Sequence, residues 1–276
     1  MKANIIFAAS VGLASAVVAQ VPDFVSLPVQ SAVPLQDKGY DKADPSAVAY
    51  AVQNLQFSGY TWWVKTSSGR VGPGPNYFSD SPNNVWVDDD GWLHLKITKV
   101  KNRWYCAEVV STDVFGYGSY KWELASPVDN LDRNVVLGLF TWSDTSEFAN
   151  GEIDIEFSRW GSRSLYPNAQ FVVQPYDAAD HMVRFDMPAG VPESTHRFLW
   201  APEGVIFQSA AGHWLAEPPP EVIIFDWSFL SPGWPSPTET ENARMNLWLY
   251  QGAAPSDRLT VEVVFKSFTF VPYPQP

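Results

Sequence analysis

The sequence is poor in cysteine, histidine and basic side chains, and each shortage excludes a class of protein. Cys106 is the single cysteine, so the fold must be stable without an intrachain disulfide. Its apolar neighbours predict a buried side chain rather than a nucleophile. Four scattered histidines without a paired spacing give no ligand set for catalytic zinc. With 18 Lys and Arg against 30 Asp and Glu, the net charge of -12 argues against nucleic acid or an anionic membrane as partner.

Long hydrophobic runs are also scarce, and the one candidate lies at the start of the chain. Residues 1–19 combine Lys2, a mostly apolar stretch over 5–18, and a small residue before Gln20, which predicts a secretory signal peptide. The stretch is too short and too rich in Ala and Ser for a membrane span. The last residues, 270–276, form no hydrophobic tail that would signal a lipid anchor. We therefore expect a secreted, extracellular protein that acts as a monomer and does not bind membranes.

What the chain does contain is an aromatic-rich β pattern. Residues 20–50 show no period and are predicted to be a loosely ordered lead-in. Over 51–276, short apolar or aromatic runs recur at roughly ten-residue spacing between Gly, Pro, Asn and Asp clusters, which predicts one all-β domain, a sandwich or barrel. No long helical period or internal repeat is evident. The predicted strands include 60–65, 84–87, 92–97, 105–110, 117–123, 135–142, 151–157, 170–174 and 244–250.

The most informative strand is 151–157, where Glu152, Asp154 and Glu156 alternate with Ile or Phe. Side chains alternate between the two faces of a strand, so the acids share one face and the apolar residues share the other. Like charges at this spacing repel, and in a dry cleft they cannot all ionise at their ordinary pKa values. A solvated strand face is the plain alternative in so acidic a chain. A pair of carboxylates, one ionised and one with a raised pKa, is what retaining glycoside hydrolysis requires.

That chemistry places a condition on the backbone. In a flat strand the α-carbons of Glu152 and Glu156 would be ~13 Å apart. Retaining hydrolysis needs the two carboxyl groups about 5–5.5 Å apart. The catalytic interpretation therefore predicts that this strand lies in a strongly bent sheet.

The chain carries distinctive motifs at residues 117–120, 138–142, 152–156, 195–200 and 245–248. Together they resemble family-16 glycoside hydrolases, over roughly residues 55–272. The resemblance implies an all-β jelly-roll sandwich of two curved antiparallel sheets with a concave substrate cleft. It implies that Glu152 is the nucleophile, that Glu156 is the general acid and base, and that Asp154 assists between them. The acid strand has no extra residue before its last Glu, which resembles the lichenase and xyloglucan-acting branches more than the laminarinases.

Other residues are candidates for binding sugar. Aromatic rings can stack on the apolar faces of sugars, and amide side chains can hydrogen-bond sugar hydroxyls. Arg159 is equally well explained as an ion-pair partner. No cofactor is expected; some family members hold a structural calcium, but no ligand set for one is readable here. The candidate substrate-binding residues are Trp142, Trp160, Arg159, Gln170, Gln174, Asn246, Trp248 and, in the Gly- and Pro-rich loop 69–78, Asn76.

Three functions are consistent with this sequence. The first is a secreted, endo-acting, retaining hydrolase that cleaves a β-glucan-type polysaccharide through a glycosyl-enzyme intermediate. The second is a transglycosylase that remodels cell-wall glucan, in which a sugar acceptor outcompetes water. The third is a non-catalytic carbohydrate-binding protein on the same fold, although such a protein has no need for three crowded acids.

Overall fold

The computed structural model describes residues 49–50, 54–145, 151–232, 234–238 and 240–274. The predicted signal peptide, 1–19, and most of the lead-in, 20–50, lie outside the described residues. Two short 3-10 segments, Pro220–Val222 and Tyr250–Gly252, accompany the strands. The strands are β1 Ala49–Tyr50, β2 Leu55–Phe57, β3 Tyr60–Thr66, β4 Tyr77–Phe78, β5 Val85–Val87, β6 Leu93–Val100, β7 Arg103–Phe115, β8 Gly118–Leu124, β9 Val135–Trp142, β10 Ile153–Ser158, β11 Ala169–Val173, β12 Met182–Phe185, β13 Ser194–Ala201, β14 Gly204–Ala211, β15 Ile223–Leu230, β16 Glu241–Leu249 and β17 Val261–Pro272.

The strands form two layers. We call the first the acid sheet; its order is β2-β3-β7-β16-β9-β10-β11-β12, antiparallel throughout, and β1 also pairs with β3. The second, the back sheet, has the order β5-β6-β17-β8-β13-β14-β15. A hairpin from β6 into β7 and a parallel pairing of β4 with β7 join the layers at one side. The predicted jelly-roll sandwich of two antiparallel sheets is confirmed.

The core lies between the two sheets and is built from alternate residues of each strand. On β10, Ile153, Ile155 and Phe157 are fully buried, and the Phe157 ring lies 4.6 Å from the His196 ring of the back sheet. Burying an aliphatic or aromatic side chain of this size contributes about 1.5–3 kcal/mol. The apolar half of the acid strand therefore anchors β10 to the core and leaves its other face for the acids.

Two titratable residues of the core, His196 and Cys106, are neutral near pH 7. His196 is fully buried between the hydroxyls of Ser194 and Ser209, and burial lowers its pKa to about 3, so the ring is neutral. Burial likewise raises the pKa of the Cys106 thiol to about 12. Both agree with the expectation that neither residue is a catalyst.

The strand carrying the acids is regular, and the sheet around it bends. β10 pairs with β9 and β11 without a register shift, as its sequence predicts. β16 shifts register against β7 between Asn242 and Arg244, and such irregularities bend and twist a strand. The acid sheet is curved, in line with the condition set by the sequence. Within the described residues, no helix has the length and apolar character needed to cross a membrane.

Candidate active site

The three acids lie at the centre of the acid sheet, on the face turned away from the back sheet, which we call the open face. Asp154 and Glu156 belong to β10, and Glu152 immediately precedes it. Asp154 is buried, with 4% of its surface exposed, whereas Glu152 and Glu156 are partly exposed. The two outer acids are therefore accessible, and the middle one is enclosed between them.

The backbone before Glu152 is held by two neighbouring strands. Gly151 has a φ of +59°, and a Cβ at this position would lie 2.7 Å from the Glu241 side chain. The Thr141 hydroxyl of β9 donates to the Gly151 carbonyl at 2.8 Å and accepts from the Ile153 amide at 3.2 Å. Glu241 is fully buried and accepts hydrogen bonds from Thr238. These contacts fix the position from which the Glu152 side chain leaves the backbone.

Cross-strand register collects polar residues from distant parts of the chain into one line on the open face. Glu156 pairs with Gln170 on one side and with Gly138 on the other. Gly138 has no side chain, and a Cβ there would lie 2.5 Å from Oδ1 of Asn246. We call this line the polar row; in order across the strands it comprises Arg184, Gln170, Glu156, Gly138, Asn246, Glu108 and Lys65.

Two glutamines from β11 and the residue following it hold the acids. Nε2 of Gln170 donates to Oε2 of Glu156 at 2.6 Å. Nε2 of Gln174 donates to Oδ2 of Asp154 at 3.0 Å. Both were predicted to hydrogen-bond sugar hydroxyls, whereas the structure uses each to orient an acid.

All three carboxyl groups have pKa values above their ordinary range, chiefly because burial disfavours the charged form. Burial and the nearby Glu156 charge raise the pKa of Glu152 to about 7, against a hydrogen bond from Asp154 and the positive charge of Arg244. Burial and the charges of both neighbours raise the pKa of Asp154 well above its ordinary value. Burial also raises the pKa of Glu156, while the Gln170 hydrogen bond and the Arg184 charge lower it. At neutral pH the group therefore retains at least one proton.

The retained proton belongs on Asp154. This residue is the most enclosed of the three and is repelled by a carboxylate on each side. A neutral Asp154 can donate its O–H to Glu152, and that hydrogen bond favours the ionised form of Glu152. The arrangement lets one outer acid be a carboxylate at a pH where the other carries a proton.

The predicted stacking aromatics lie at both ends of the line of acids. Trp142 ends β9 level with Glu152, is partly exposed, and donates from Nε1 to Oδ1 of Asp144 at 2.8 Å. Trp248 on β16 is partly exposed and lies beyond Glu156, where it also packs against the core. Trp160 follows β10 with a φ of +45°, in the left-handed region that a bulky side chain rarely adopts. That these rings stack on sugar units stays a prediction.

Two of the predicted binding residues serve other purposes. Asn76 has 3% of its surface exposed, and its amide donates to the carbonyls of Pro73 and Leu249, each at 2.8 Å, so it fixes the 69–78 loop. Arg159 follows the end of β10, and its guanidinium donates to the Leu131 carbonyl at 3.0 Å. Hydrogen bonds from Ser256 and Asn134 lower the pKa of Asp132 most, and the charge of Arg159 contributes least, so the ion-pair interpretation stays a prediction.

Asn246, also predicted to bind substrate, lies close to the acids. It stands in the polar row across Gly138 from Glu156 and has 3% of its surface exposed. Its Oδ1 is buried and has no hydrogen-bond partner in the described part of the chain. A buried acceptor without a partner is unfavourable unless a ligand supplies a donor.

Sequence reasoning missed a buried ionic cluster further along the open face. Nζ of Lys65 lies 2.8 Å from Oε2 of Glu108, and Nη1 of Arg244 lies 3.6 Å from Oε1 of the same carboxylate. Arg244 also contacts Asp144 and lies over the Trp142 ring, with 5.5 Å from its guanidinium carbon to the ring centroid. Arg244 has the same strand parity as Asn246, which was the available signal. The pairing with Lys65 depends on register and could not be read from the sequence.

A second group of charged residues lies on the outer surface of the back sheet, and we call it the His94 cluster. Nε2 of His94 lies 2.9 Å from Oδ2 of Asp88, and its Nδ1 lies 2.9 Å from Oε1 of Glu262. Nζ of Lys96 lies 2.8 Å from Oε2 of Glu262. The Trp86 ring stacks on His94 at 4.5 Å. Hydrogen bonds from Lys96 and His94 lower the pKa of Glu262 despite partial burial, and a hydrogen bond from His94 lowers that of Asp88.

No group of three or more His, Cys, Asp or Glu side chains in the described ranges is arranged to hold a metal ion. The open face offers carboxyl groups, amides and the cations Lys65, Arg184 and Arg244. The expectation that no cofactor is required stays a prediction.

Comparison with other proteins gives partial sequence matches. No protein-family model matches the chain. It is 26% identical over 155 residues to a β-glucanase of Paenibacillus macerans, covering 53% of this chain and 63% of that protein. It is 29% identical over 122 residues to a β-glucanase of Paenibacillus polymyxa, covering 44% of this chain and 49% of that protein. The chain thus matches less than two thirds of the length of either curated relative.

Solved structures match over most of the described residues. A Bacillus licheniformis β-glucanase matches 84% of this chain over its own full length, at 19% identity and a TM-score of 0.57. A pseudo β-1,3-glucanase of Mycobacterium tuberculosis matches 77% of this chain and 91% of its own, at 19% identity and a TM-score of 0.58. A non-specific endo-β-1,3(4)-glucanase of family 16 matches 83% of this chain and 92% of its own, at 13% identity and a TM-score of 0.56. The chain therefore has the fold of the family-16 glycoside hydrolases.

Proposed function

We propose that this protein is a secreted, endo-acting hydrolase of a β-glucan-type polysaccharide that works by double displacement with retention. One observation carries the proposal: three carboxyl groups are crowded on the open face, with raised pKa values and an amide donor held against two of them. Perturbed acids of this kind concentrate at catalytic sites. The named activity of the β-glucanases that share sequence or fold with the chain supports the same substrate class.

In the first step Glu156 delivers its proton to the glycosidic oxygen while Glu152 attacks the anomeric carbon. The bond between that carbon and the leaving oxygen breaks, and a covalent glycosyl-enzyme forms. Asp154 keeps its proton throughout. Its O–H donates a hydrogen bond to Glu152 until Glu152 forms its bond to the anomeric carbon. Burial raises the pKa of Glu156 above its ordinary value, which favours the protonated form that a general acid needs.

In the second step Glu156, now a carboxylate, takes a proton from water as that water attacks the anomeric carbon. The bond to Glu152 breaks and the sugar leaves with its original configuration. Neutral amide donors suit both steps, because Gln170 can stabilise the ionised form of Glu156 without adding a fixed charge. Trp142, Trp160 and Trp248 are proposed to stack on sugar units on either side of the acids.

The buried Oδ1 of Asn246 supports a substrate that brings hydroxyl donors to the open face. An orphan acceptor at this depth is satisfied by a sugar hydroxyl without any loss of a protein hydrogen bond. Replacing Asn246 with Asp would keep the acceptor, whereas Asn246→Leu would remove it. We expect the Leu variant to raise KM for the polysaccharide more than the Asp variant does.

The decisive test is a substrate panel with product sizing. Wild-type protein and Glu152→Gln are incubated with barley mixed-linkage glucan, laminarin, xyloglucan, agar and carrageenan. The proposal requires internal cleavage of a β-glucan by the wild type and none by the variant. Products longer than the substrate would identify a transglycosylase instead. Oligosaccharide binding without turnover, at saturating protein, would identify a non-catalytic carbohydrate-binding protein.

A further inference from the structure

Arg184 connects to the acid at the centre of the site through one intervening side chain. Nε of Arg184 donates to Oε1 of Gln170 at 3.2 Å, and Nε2 of Gln170 donates to Oε2 of Glu156 at 2.6 Å. The three residues come from β12, β11 and β10, and they occupy one end of the polar row. Gln170 is buried, with 6% of its surface exposed, whereas Arg184 is exposed on β12.

The direction of these bonds is set by chemistry. Arginine has N–H donors and no acceptor, so the Gln170 group that faces it must be the carbonyl oxygen. The amide nitrogen must then face Glu156 as a donor. If the amide were turned over, its NH₂ group would oppose the Arg184 N–H, and its oxygen would accept a hydrogen bond from a protonated Glu156. Arg184 therefore excludes the orientation in which Gln170 would compete with a sugar for that proton.

Arg184 is itself held in place by Trp160. Its guanidinium carbon lies 4.6 Å from the Trp160 ring centroid, in a cation–π contact. The Trp160 amide donates to the Ser158 hydroxyl at 2.9 Å, which helps hold the residue at its positive φ. A backbone in this region is unfavourable for tryptophan and is maintained by its surroundings. The turn after the acid strand thus carries the ring that fixes the arginine.

We propose that Arg184 is a positioning residue that locks Gln170 as a donor to Oε2 of Glu156 and so keeps the transferable proton on Oε1. In the described part of the chain, Oε1 of Glu156 accepts and donates no hydrogen bond, so it is the oxygen left for the leaving group. The inference deepens the proposed function and rests on Glu156 being the general acid. The ionisable groups around Glu156 are Glu152 and Asp154 beside it, Arg184 from β12 and Glu108 from β7 along the row.

The first experiment separates acid catalysis from folding or binding. Arg184→Leu, Arg184→Lys and the control Arg163→Leu, which removes an exposed charge from the nearby loop, are assayed on β-glucan and on a dinitrophenyl β-oligoglucoside. The activated phenolate leaves without a proton, so only the polysaccharide reaction needs the general acid. We expect kcat for Arg184→Leu to fall about tenfold on glucan, with KM unchanged, and less than about twofold on the aryl substrate.

Arg184→Lys retains a cationic donor and should recover most of the glucan activity, while Arg163→Leu should match the wild type. Equal losses by Arg184→Leu on both substrates would overturn the inference, because a structural role affects every substrate. Should the Leu variant fail to fold, Arg184→Gln serves in its place. A Gln side chain offers an acceptor as well as donors and no longer forces the Gln170 orientation.

A second readout does not depend on catalysis. The Glu156 carboxyl is titrated by ¹³C NMR in the wild type, Arg184→Leu and Arg163→Leu. Loss of the cation and of the fixed amide donor should raise the Glu156 pKa in the Arg184 variant only. An unchanged Glu156 titration would refute the inference even if the enzyme is active. Conversely, a protein that cleaves no β-glucan would refute the proposed function while this titration still decides the role of Arg184.

Discussion

The two charged clusters of this protein use the same residue types in opposite ways. On the open face, Glu152, Asp154 and Glu156 are crowded together, and burial raises the pKa of each. On the outside of the back sheet, Asp88 and Glu262 flank His94, and hydrogen bonds from His94 and Lys96 lower the pKa values of these acids. The first arrangement opposes the charged form and the second favours it.

The two clusters therefore affect the stability of the folded protein in opposite ways as pH changes. An acid whose pKa is raised on folding makes the native state less stable as pH rises, because the unfolded chain gives up that proton more readily. An acid whose pKa is lowered does the reverse. The open face therefore reduces stability at neutral pH, as expected of a site selected for reactivity. The His94 cluster adds a small stabilisation of the kind that surface ion pairs give.

The largest expected effect is on activity. Glu152→Gln removes the proposed nucleophile while keeping the side-chain volume and the acceptor for Asp154, so β-glucan hydrolysis should fall about 10⁴-fold or more. Glu262→Gln is the matched control, since the same substitution in the His94 cluster should leave the rate unchanged. Reducing-sugar release measured for both purified variants tests this. A similar loss in both would remove the functional distinction between the clusters.

The same pair of variants should change stability in opposite directions. Glu152 has its pKa raised from 4.5 to about 7, so above pH 7 its ionisation opposes folding. Glu152→Gln should raise the free energy of unfolding by about 3 kcal/mol at pH 8. The gain should fade as pH drops from about 7 towards 4.5, where Glu152 becomes protonated in both states. Urea unfolding followed by tryptophan fluorescence at pH 5 and pH 8 measures this, and a pH-independent difference would contradict the assigned cause.

A smaller loss is expected for Glu262→Gln. Its carboxylate is about a third exposed, so solvent screening limits its ion pairs to about 0.5 kcal/mol. Because the folded pKa is lowered, this stabilisation is present above the ordinary value of 4.5 and disappears as pH falls through the folded value. Urea unfolding of the variant and the wild type at pH 6 and pH 3 should give a difference only at the higher pH. A stabilised variant at pH 6 would show that the cluster opposes folding as the open face does.

The smallest effect distinguishes the clusters by salt. At 1 M NaCl the screening length is about 3 Å, which weakens exposed ion pairs much more than buried interactions. The stability difference between wild type and Glu262→Gln should shrink in 1 M NaCl, and that for Glu152→Gln should persist. Parallel urea unfolding at low and high salt gives both values. Equal sensitivity would mean that the acids of the open face are as well solvated as those of the outer surface.

The site could be predicted from the sequence where a strand's two-residue period carries the information. The acids, their apolar backing and the regular strand follow from residues 151–157 alone. The same period does not extend to Arg159, which follows the end of β10. Asn76 could not be assigned, because its partner, Leu249, is distant in the chain and meets it only through the fold.

Arg184 shows the limit of prediction most clearly. Nothing in the local sequence of β12 distinguishes it, and its importance comes from register, since β12 pairs Arg184 with Gln170 and β11 pairs Gln170 with Glu156. Short strand runs predict that residues face one way, but they do not predict which residues of another strand become their neighbours. The jelly-roll topology supplies that information.

Gly151 sets a limit on how the region before Glu152 can vary. Its φ of +59° and the Glu241 side chain that occupies the space of a Cβ leave room for glycine alone. Glu241 in turn ties down Thr238 in the Pro-rich segment that leads into β16. A substitution in that remote segment could therefore misalign the proposed nucleophile without touching any acid. Any redesign of the Pro-rich segment before β16 for new substrates would have to keep the hydrogen bonds between Glu241 and Thr238.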